Sequence, residues 1–347
     1  MKRSFPFLSS AVLILPVVFW VVSCQDTWAQ QAAPPNPSAP TSPGALPPQS
    51  RSGGAEDLNS LSLEVPLKSI QPLVADVAEY PDFTLQLLQV GWRRGDPIDL
   101  YVIRPKNVEK PPVILYLYGY PSETDRFRDE EFCRLVTKNG FAAVGFVAAM
   151  DGHRYHDRPM RQWFVSELQE ALSTSVHDVQ MVLTYLSTRS DLDQSRIGMF
   201  GQGSGGTIAV LAASVDPRIK AINILDPWGN WPEWMAKSTL IPEDERPDYT
   251  TPQFLDKVAA LDPVRVLPQL TLPVHVQDTL YEKETPKVSK ERIESVVPSS
   301  GTVKRYATSL EFKDDLVDGK LLTWIKGQLQ APPSSLPSRV TGKQSSR

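Results

Sequence analysis

Apolar and polar positions alternate with two distinct periods from about residue 83 to residue 329. Phe83 to Trp92 and Ile98 to Arg104 flank Arg93-Arg94-Gly95-Asp96-Pro97. The glycine and proline mark a turn, so the pair predicts an antiparallel hairpin. Val113 to Tyr118 is a short continuous apolar run, the form of a strand covered on both faces. Ala142 to Val147, Ile197 to Phe200, Ile219 to Leu225, Val274 to Gln277 and Val303 to Tyr306 read as further strands. Helical spacing fills the intervals: Arg128 to Lys138, a stretch from Trp163 to Thr188 long enough for two helices, Ser204 to Ser214, and Glu311 to Leu329. The alternation predicts an α/β domain with a mostly parallel central sheet, helices on both faces and an antiparallel N-terminal edge.

The ends of the chain depart from this pattern. Lys2 and Arg3 precede an apolar run from Phe5 to Val22 that contains Pro6 and Pro16 and ends in Val21-Val22-Ser23-Cys24. That order is the order of an export signal. A spanning anchor is the competing reading. It is disfavoured by a length marginal for a hydrocarbon core of about 30 Å, by the prolines, and by the lack of a basic stop. The tetrad ending at Cys24 resembles the lipobox of bacterial lipoproteins, in which the cysteine thiol takes up diacylglycerol. The resemblance implies lipidation and a membrane tether on a periplasmic or cell-surface face. Thr27-Trp28-Ala29 offers ordinary cleavage and secretion instead. The organisation expected is a signal peptide over 1–24, a Pro/Ala/Ser-rich tether over 25–55, one domain over 56–330, and a disordered tail over 331–347.

Composition narrows the partners. The 347 residues are 41% hydrophobic and 22% charged, enough for a buried core, and a net charge of −4 without single-sign runs excludes a nucleic-acid footprint. Two cysteines, Cys24 and Cys133, rule out a disulfide framework. Cys133, between apolar neighbours in a helical segment, reads as a small buried residue.

The chemistry concentrates in Ile197-Gly198-Met199-Phe200-Gly201-Gln202-Gly203-Ser204-Gly205-Gly206-Thr207. A buried strand runs into a glycine-flanked turn and straight into a helix of small residues, the sequence form of a nucleophile elbow. Here the chain resembles the α/β-hydrolase superfamily, particularly its dienelactone-hydrolase and acyl-peptidase-like branches. Asp178 to Arg196, leading into the elbow, and Ala260-Leu261-Asp262-Pro263 followed by Leu272-Pro273-Val274 extend the resemblance over roughly residues 83–329. The elbow turn is so tight that the residues two before and two after its tip must be small. Gly201 and Gly205 satisfy this for a tip at Gly203, whereas a tip at Ser204 would put Gln202 in a crowded place. The nucleophile position is therefore assigned to Gly203, with Ser204 as the alternative nucleophile and as donor of an oxyanion amide.

The resemblance implies three further places. The histidine after the last strand falls at Leu310, and none of His153, His156, His177 and His275 stands there. His177 and His275 read as structural, while His153 and His156 lie near the expected pocket mouth. The acid, four residues before Pro286, falls at Glu282, with Asp278 as a neighbour. The oxyanion loop reads Tyr118-Gly119-Tyr120-Pro121. After Ile219 to Leu225, where relatives insert a cap, Trp228, Trp231 and Trp234 either roof a ligand or pack as core.

The bare Gly201-x-Gly203-x-x-Gly206 match lacks the context of a dinucleotide site, and no metal motif is present, so neither cofactor nor metal is expected. Two functions remain: a tethered pseudo-hydrolase binding a small molecule, peptide or protein in the former substrate cleft, and a serine esterase or peptidase using Ser204 with a relocated histidine. Mass spectrometry of membrane-extracted protein is expected to show a modified Cys24 as the mature N-terminus. An unmodified N-terminus at Gln30 would indicate ordinary secretion.

Overall fold

The structure, a computed structural model, describes residues 57–93, 95–119, 125–149, 154 and 160–330, with 160–166 described in backbone only. Cys24, the tether and the tail lie outside the described residues. A one-turn helix α1 (Leu58–Leu61) precedes β1 (Ile70–Glu79), β2 (Phe83–Gly91), β3 (Ile98–Pro105) and β4 (Pro112–Leu117). Helix α2 (Glu130–Thr137), β5 (Ala142–Gly145), α3 (Met160–Leu186), β6 (Asp193–Gln202) and α4 (Ser204–Val215) follow. After β7 (Ile219–Leu225) come four short helices, α5 (Trp231–Lys237), α6 (Arg246–Tyr249), α7 (Pro252–Val258) and α8 (Pro263–Val266). The described chain closes with β8 (Val274–Thr279), α9 (Lys287–Glu294), β9 (Thr302–Tyr306), α10 (Ser309–Val317) and α11 (Thr323–Gln330).

The strands form one sheet in the order β1-β2-β3-β5-β4-β6-β7-β8-β9. Pairings through β1, β2 and β3 are antiparallel, and those among β5, β4, β6, β7, β8 and β9 are parallel. The short helices between β7 and β8 occupy the place of the expected cap. Strand β4 shows why its run is continuously apolar. Val113, Leu115 and Leu117 join the core on one face, and Ile114 and Tyr116 the core on the other, as the two-residue period of a strand requires. Every residue of α4 from Ser204 to Ala213 is buried, and its small side chains let it lie close against the sheet.

Three segments differ from the sequence reading. Strand β1 was not foreseen, because its residues are exposed throughout except Ala78 and an edge strand free of the core carries no burial period. Residues 163–188, expected to hold two helices, form the single helix α3. Its polar Ser173-Thr174-Ser175 and Asp178 are buried and face partners: Ser175 Oγ donates to Ala171 O at 2.8 Å and accepts from Ala149 N at 3.0 Å. The expected helix from Glu311 to Leu329 is interrupted at Gly319, whose φ is 70°. The interruption frees Leu321 O, which accepts from Asn223 Nδ2 at 2.7 Å and Gln277 Nε2 at 3.1 Å and so ties the segment to β7 and β8.

The elbow glycines carry the closest packing. A Cβ on Gly205 would lie 2.2 Å from Leu117 O, and one on Gly201 would lie 2.3 Å from Gly205 O, whereas one on Gly327 meets nothing within 4 Å. Gly205→Ala is therefore expected to cost about 3 kcal/mol or more in urea denaturation, while Gly327→Ala, inside a helix, should gain about 0.5–1 kcal/mol. Equal stability of the two variants would contradict this packing.

Candidate functional site

Gly203 stands between the end of β6 and the start of α4 with φ 56° and ψ −123°. That conformation is strained for any residue with a Cβ and open to glycine. Its carbonyl accepts from Gly206 N at 3.0 Å and from Thr207 N and Trp228 N, both at 3.3 Å. Thr207 Oγ1 in turn donates to Trp228 O at 2.7 Å. The segment after β7 is thus fastened onto the elbow. A Cβ at position 203 would lie 3.3 Å from Trp228 Nε1 and 3.5 Å from Gly119 Cα. The indole N–H is buried with no hydrogen-bond partner among the described residues, so a donor without an acceptor faces the place where a nucleophilic side chain would stand.

Gly119 needs its lack of side chain as well, since a Cβ there would come within 2.8 Å of Gln202 O and 3.3 Å of Ser204 N. Ser204, the first residue of α4, is 0% exposed. Tyr118 turns away from the elbow. It packs with Tyr116, Phe127, Phe132 and Phe200, on the opposite face of the sheet from α4, with the Arg126 guanidinium 3.6 Å over its ring. Burial holds its phenol above the usual range. Tyr120, His153 and His156 lie outside the described residues.

Of the two readings of the tryptophans, the structure shows core. Trp228, Trp231 and Trp234 are all fully buried, with ring centroids 4.6 Å apart for 228 and 234 and 5.9 Å for 231 and 234. Asp262 fixes the turn before α5 by accepting from Asn230 N and Trp231 N, both at 2.9 Å.

Glu282 is engaged rather than open. It accepts from the amides of Glu284 and Thr285, and its Oε2 lies 3.5 Å from Lys290 Nζ. Lys290, itself buried, also donates to Thr279 O at 2.5 Å and pairs with Asp226 at 2.8 Å. Asp226 accepts in addition from Thr279 N at 2.9 Å and Thr279 Oγ1 at 2.6 Å. Burial raises the Glu282 carboxyl and pushes the Glu284 carboxyl up to about 7, the latter aided by the charge of Glu282. Leu310 is 67% exposed on α10; the fold brings together Gly203, Gly119 and Trp228, and separately Glu282, Lys290 and Asp226, but leaves the Leu310 side chain in solvent.

The remaining described histidines pack against aromatic rings. His275 Nδ1 lies 2.7 Å from Thr302 Oγ1 with its ring stacked on Trp324, and burial pushes the imidazole down to about 4, so it is neutral at pH 7. His177 packs edge-on against Trp92. Cys133 is buried, with its thiol pushed up to about 12, chiefly by burial and then by Asp129 and Glu130. The sequence reading missed Lys290 and Asp226. A lysine four residues after a proline reads as surface charge, and only the fold shows that it points inward.

The comparisons with known proteins agree with this architecture. Residues 98–243 match the profile of the dienelactone hydrolase family. The Bacillus subtilis (strain 168) protein YtaP, whose name describes it as a hydrolase, is 30% identical over 140 residues, 35% of this chain and 45% of that protein, so the match spans less than half of the curated relative. The acetyl xylan esterase from Paenibacillus sp. R4 superposes with a TM-score of 0.61 at 17% identity, over 78% of this chain and 92% of that one. The Pyrococcus horikoshii acylaminoacyl peptidase does so with 0.53 at 12% identity, over 77% of this chain and 51% of the other. At such identities the likeness is one of fold.

One titration is testable directly. Asp278, on β8, is 0% exposed, and neither of its carboxyl oxygens has a hydrogen-bond partner among the described residues. Burial first, and then the charge of Asp226, pushes Asp278 up to about 8. Its carboxyl ionises at about 4 in the unfolded chain, so between these values the folded state holds a proton that the unfolded state has released. The stability contributed by the protonated Asp278 carboxyl is present below the lower value and is lost as pH rises through the upper one. Asp278→Asn removes the titration. Its stability relative to the parent should therefore climb between these limits, by at most about 1.4 kcal/mol per pH unit. Parallel urea-denaturation profiles would show that Asp278 ionises normally.

Proposed function

We propose that this chain, which carries a dienelactone hydrolase family domain on an α/β-hydrolase fold, is a non-catalytic member. It keeps the elbow as scaffold and binds a small molecule, peptide or partner protein at the former substrate cleft. We propose further that it is exported and held at a membrane through Cys24. The observation that carries the non-catalytic reading is the elbow tip itself: position 203 has no side chain, and the adjoining space is flanked by Trp228 Nε1 at 3.3 Å and Gly119 Cα at 3.5 Å.

Acyl transfer in this fold needs a nucleophile at the tip, a base within hydrogen-bond reach of it, and a third group to orient the base. Gly203 supplies no attacking atom. Ser204 is one position too far along the chain and is enclosed within α4. Leu310 stands in solvent and has no proton-accepting atom. Glu282 is held by Lys290 and two loop amides, so it is already committed to other donors. Loss of the nucleophile alone costs roughly a million-fold in turnover in a serine protease.

Purified protein is expected to hydrolyse p-nitrophenyl acetate no faster than its Ser204→Ala variant and to remain unlabelled by a fluorophosphonate probe. Gly203→Ser should stay near background too, because no base takes the new proton and the Trp228 N–H would donate to the new oxygen. A Ser204-dependent rate would overturn the register. Brisk turnover by Gly203→Ser would instead mean that His153 or His156 reaches the elbow.

A further inference from the structure

The other end of the parallel strands, away from the elbow, carries a buried cation. Helix α2 ends where the chain enters β5, so its carboxyl end lies at the start of the parallel strands, whereas the elbow lies at the end of β6. At that carboxyl end sits Lys326, on α11, only 7% exposed. Its Nζ donates to Lys138 O at 2.7 Å, the carbonyl at the C-cap of α2, and lies 5.4 Å over the Phe141 ring. A helix carboxyl end and an aromatic face both favour a cation. Neither supplies the full opposite charge that a buried ammonium calls for.

The described residues hold no carboxylate for it. Asp318, the acid that lines the same cavity, is held by Lys320 at 2.6 Å. Lys138, the other charged group facing the cavity, is a second cation. Burial and then Lys138 push the Lys326 ammonium down to about 8, so near neutral pH most molecules carry this charge without compensation. Two of its three N–H donors remain for a further partner. The cavity encloses about 250 Å³ and is also lined by Asn139, Thr323 and Gln330. It therefore offers room, polar donors and an excess of positive charge together.

We propose that this cavity binds a small oxyanion, a carboxylate or phosphate group, between Lys326 and Lys138. An oxyanion there would accept from the free donors of Lys326 and complete the ion pairing that the fold leaves open. Binding would favour the charged amine and reduce its supply of free base.

The test uses the full chain and reads acylation of individual lysines by mass spectrometry after brief exposure to an amine-reactive reagent. The runs compare millimolar inorganic phosphate, acetate and chloride at matched ionic strength and pH. Labelling of Lys326 is expected to fall about fivefold at a ligand concentration of about four times Kd, with lysines other than Lys138 unchanged. Protection by phosphate alone or acetate alone would identify which oxyanion the site prefers. Lys138→Gln keeps the backbone carbonyl that Lys326 bonds, so it preserves the local fold while removing the second cation, and it should weaken the protection. Labelling no slower in phosphate or acetate than in chloride would overturn the proposal, as would protection undiminished in Lys138→Gln.

Discussion

The fold rests on a contact between backbones. At the crossing of β4, β6 and α4, Gly205 lies against Leu117 O, Gly201 against Gly205, and Gly119 against Gln202 O, all at separations no side chain would tolerate. Backbone approach of this kind fixes α4 over the middle of the sheet, and everything else is positioned from there. The segment 226–228 is hydrogen-bonded to both sides of the crossing, to Gly203 through Trp228 and to β8 through Asp226. The cap then packs its tryptophans on that segment. Because the crossing consists of glycine and main chain, its geometry does not depend on which side chain stands at the elbow's tip.

Two buried ion networks secure the loops that this crossing leaves at the carboxyl ends of the strands. Arg154, beyond β5, pairs with Asp96 at 2.6 Å and Asp178 at 2.7 Å, and Trp92 Nε1 donates to Asp178 at 2.7 Å. The hairpin turn, α3 and the chain after β5 are thereby joined at a single guanidinium. Lys290 plays the same part beyond β7 and β8, with Asp226, Glu282 and Thr279 O around its ammonium. Burying charge is costly, and such pairs contribute less net stability than apolar packing of equal volume. They do, however, impose direction. Removing one partner would leave a buried charge with no alternative arrangement.

The central strands and the elbow were legible because burial on both faces leaves a continuous apolar run and because the crowding rule at the tip concerns chain-local glycines. The same local character made the alternation of strands and helices readable from Val113 to Tyr306. What the sequence concealed depends on distant partners. The continuity of α3 was concealed because Ser175 and Asp178 in its polar middle find Ala149 and Arg154 only in the fold. Gly319 was invisible as a break until Asn223 and Gln277 claimed the carbonyl of Leu321. Tyr118 was expected at the cleft, but the alternation of side chains along β4 and beyond sends it to the opposite face. Lys290 and Lys326 are ordinary charges in the sequence, and only packing turns them inward.

The glycine at 203 changes what the elbow costs the fold. A serine at a φ of 56° is a standing conformational penalty of about 1–3 kcal/mol, tolerated where it serves chemistry. Glycine at this position carries no such penalty, a difference comparable to the cost of one ordinary destabilising mutation. A difference of that size offsets part of what the buried ammonium at 326 and the buried carboxyl at 278 cost the fold. A serine placed there would bring the penalty with it and set its Cβ 3.3 Å from Trp228 Nε1 and 3.5 Å from Gly119 Cα.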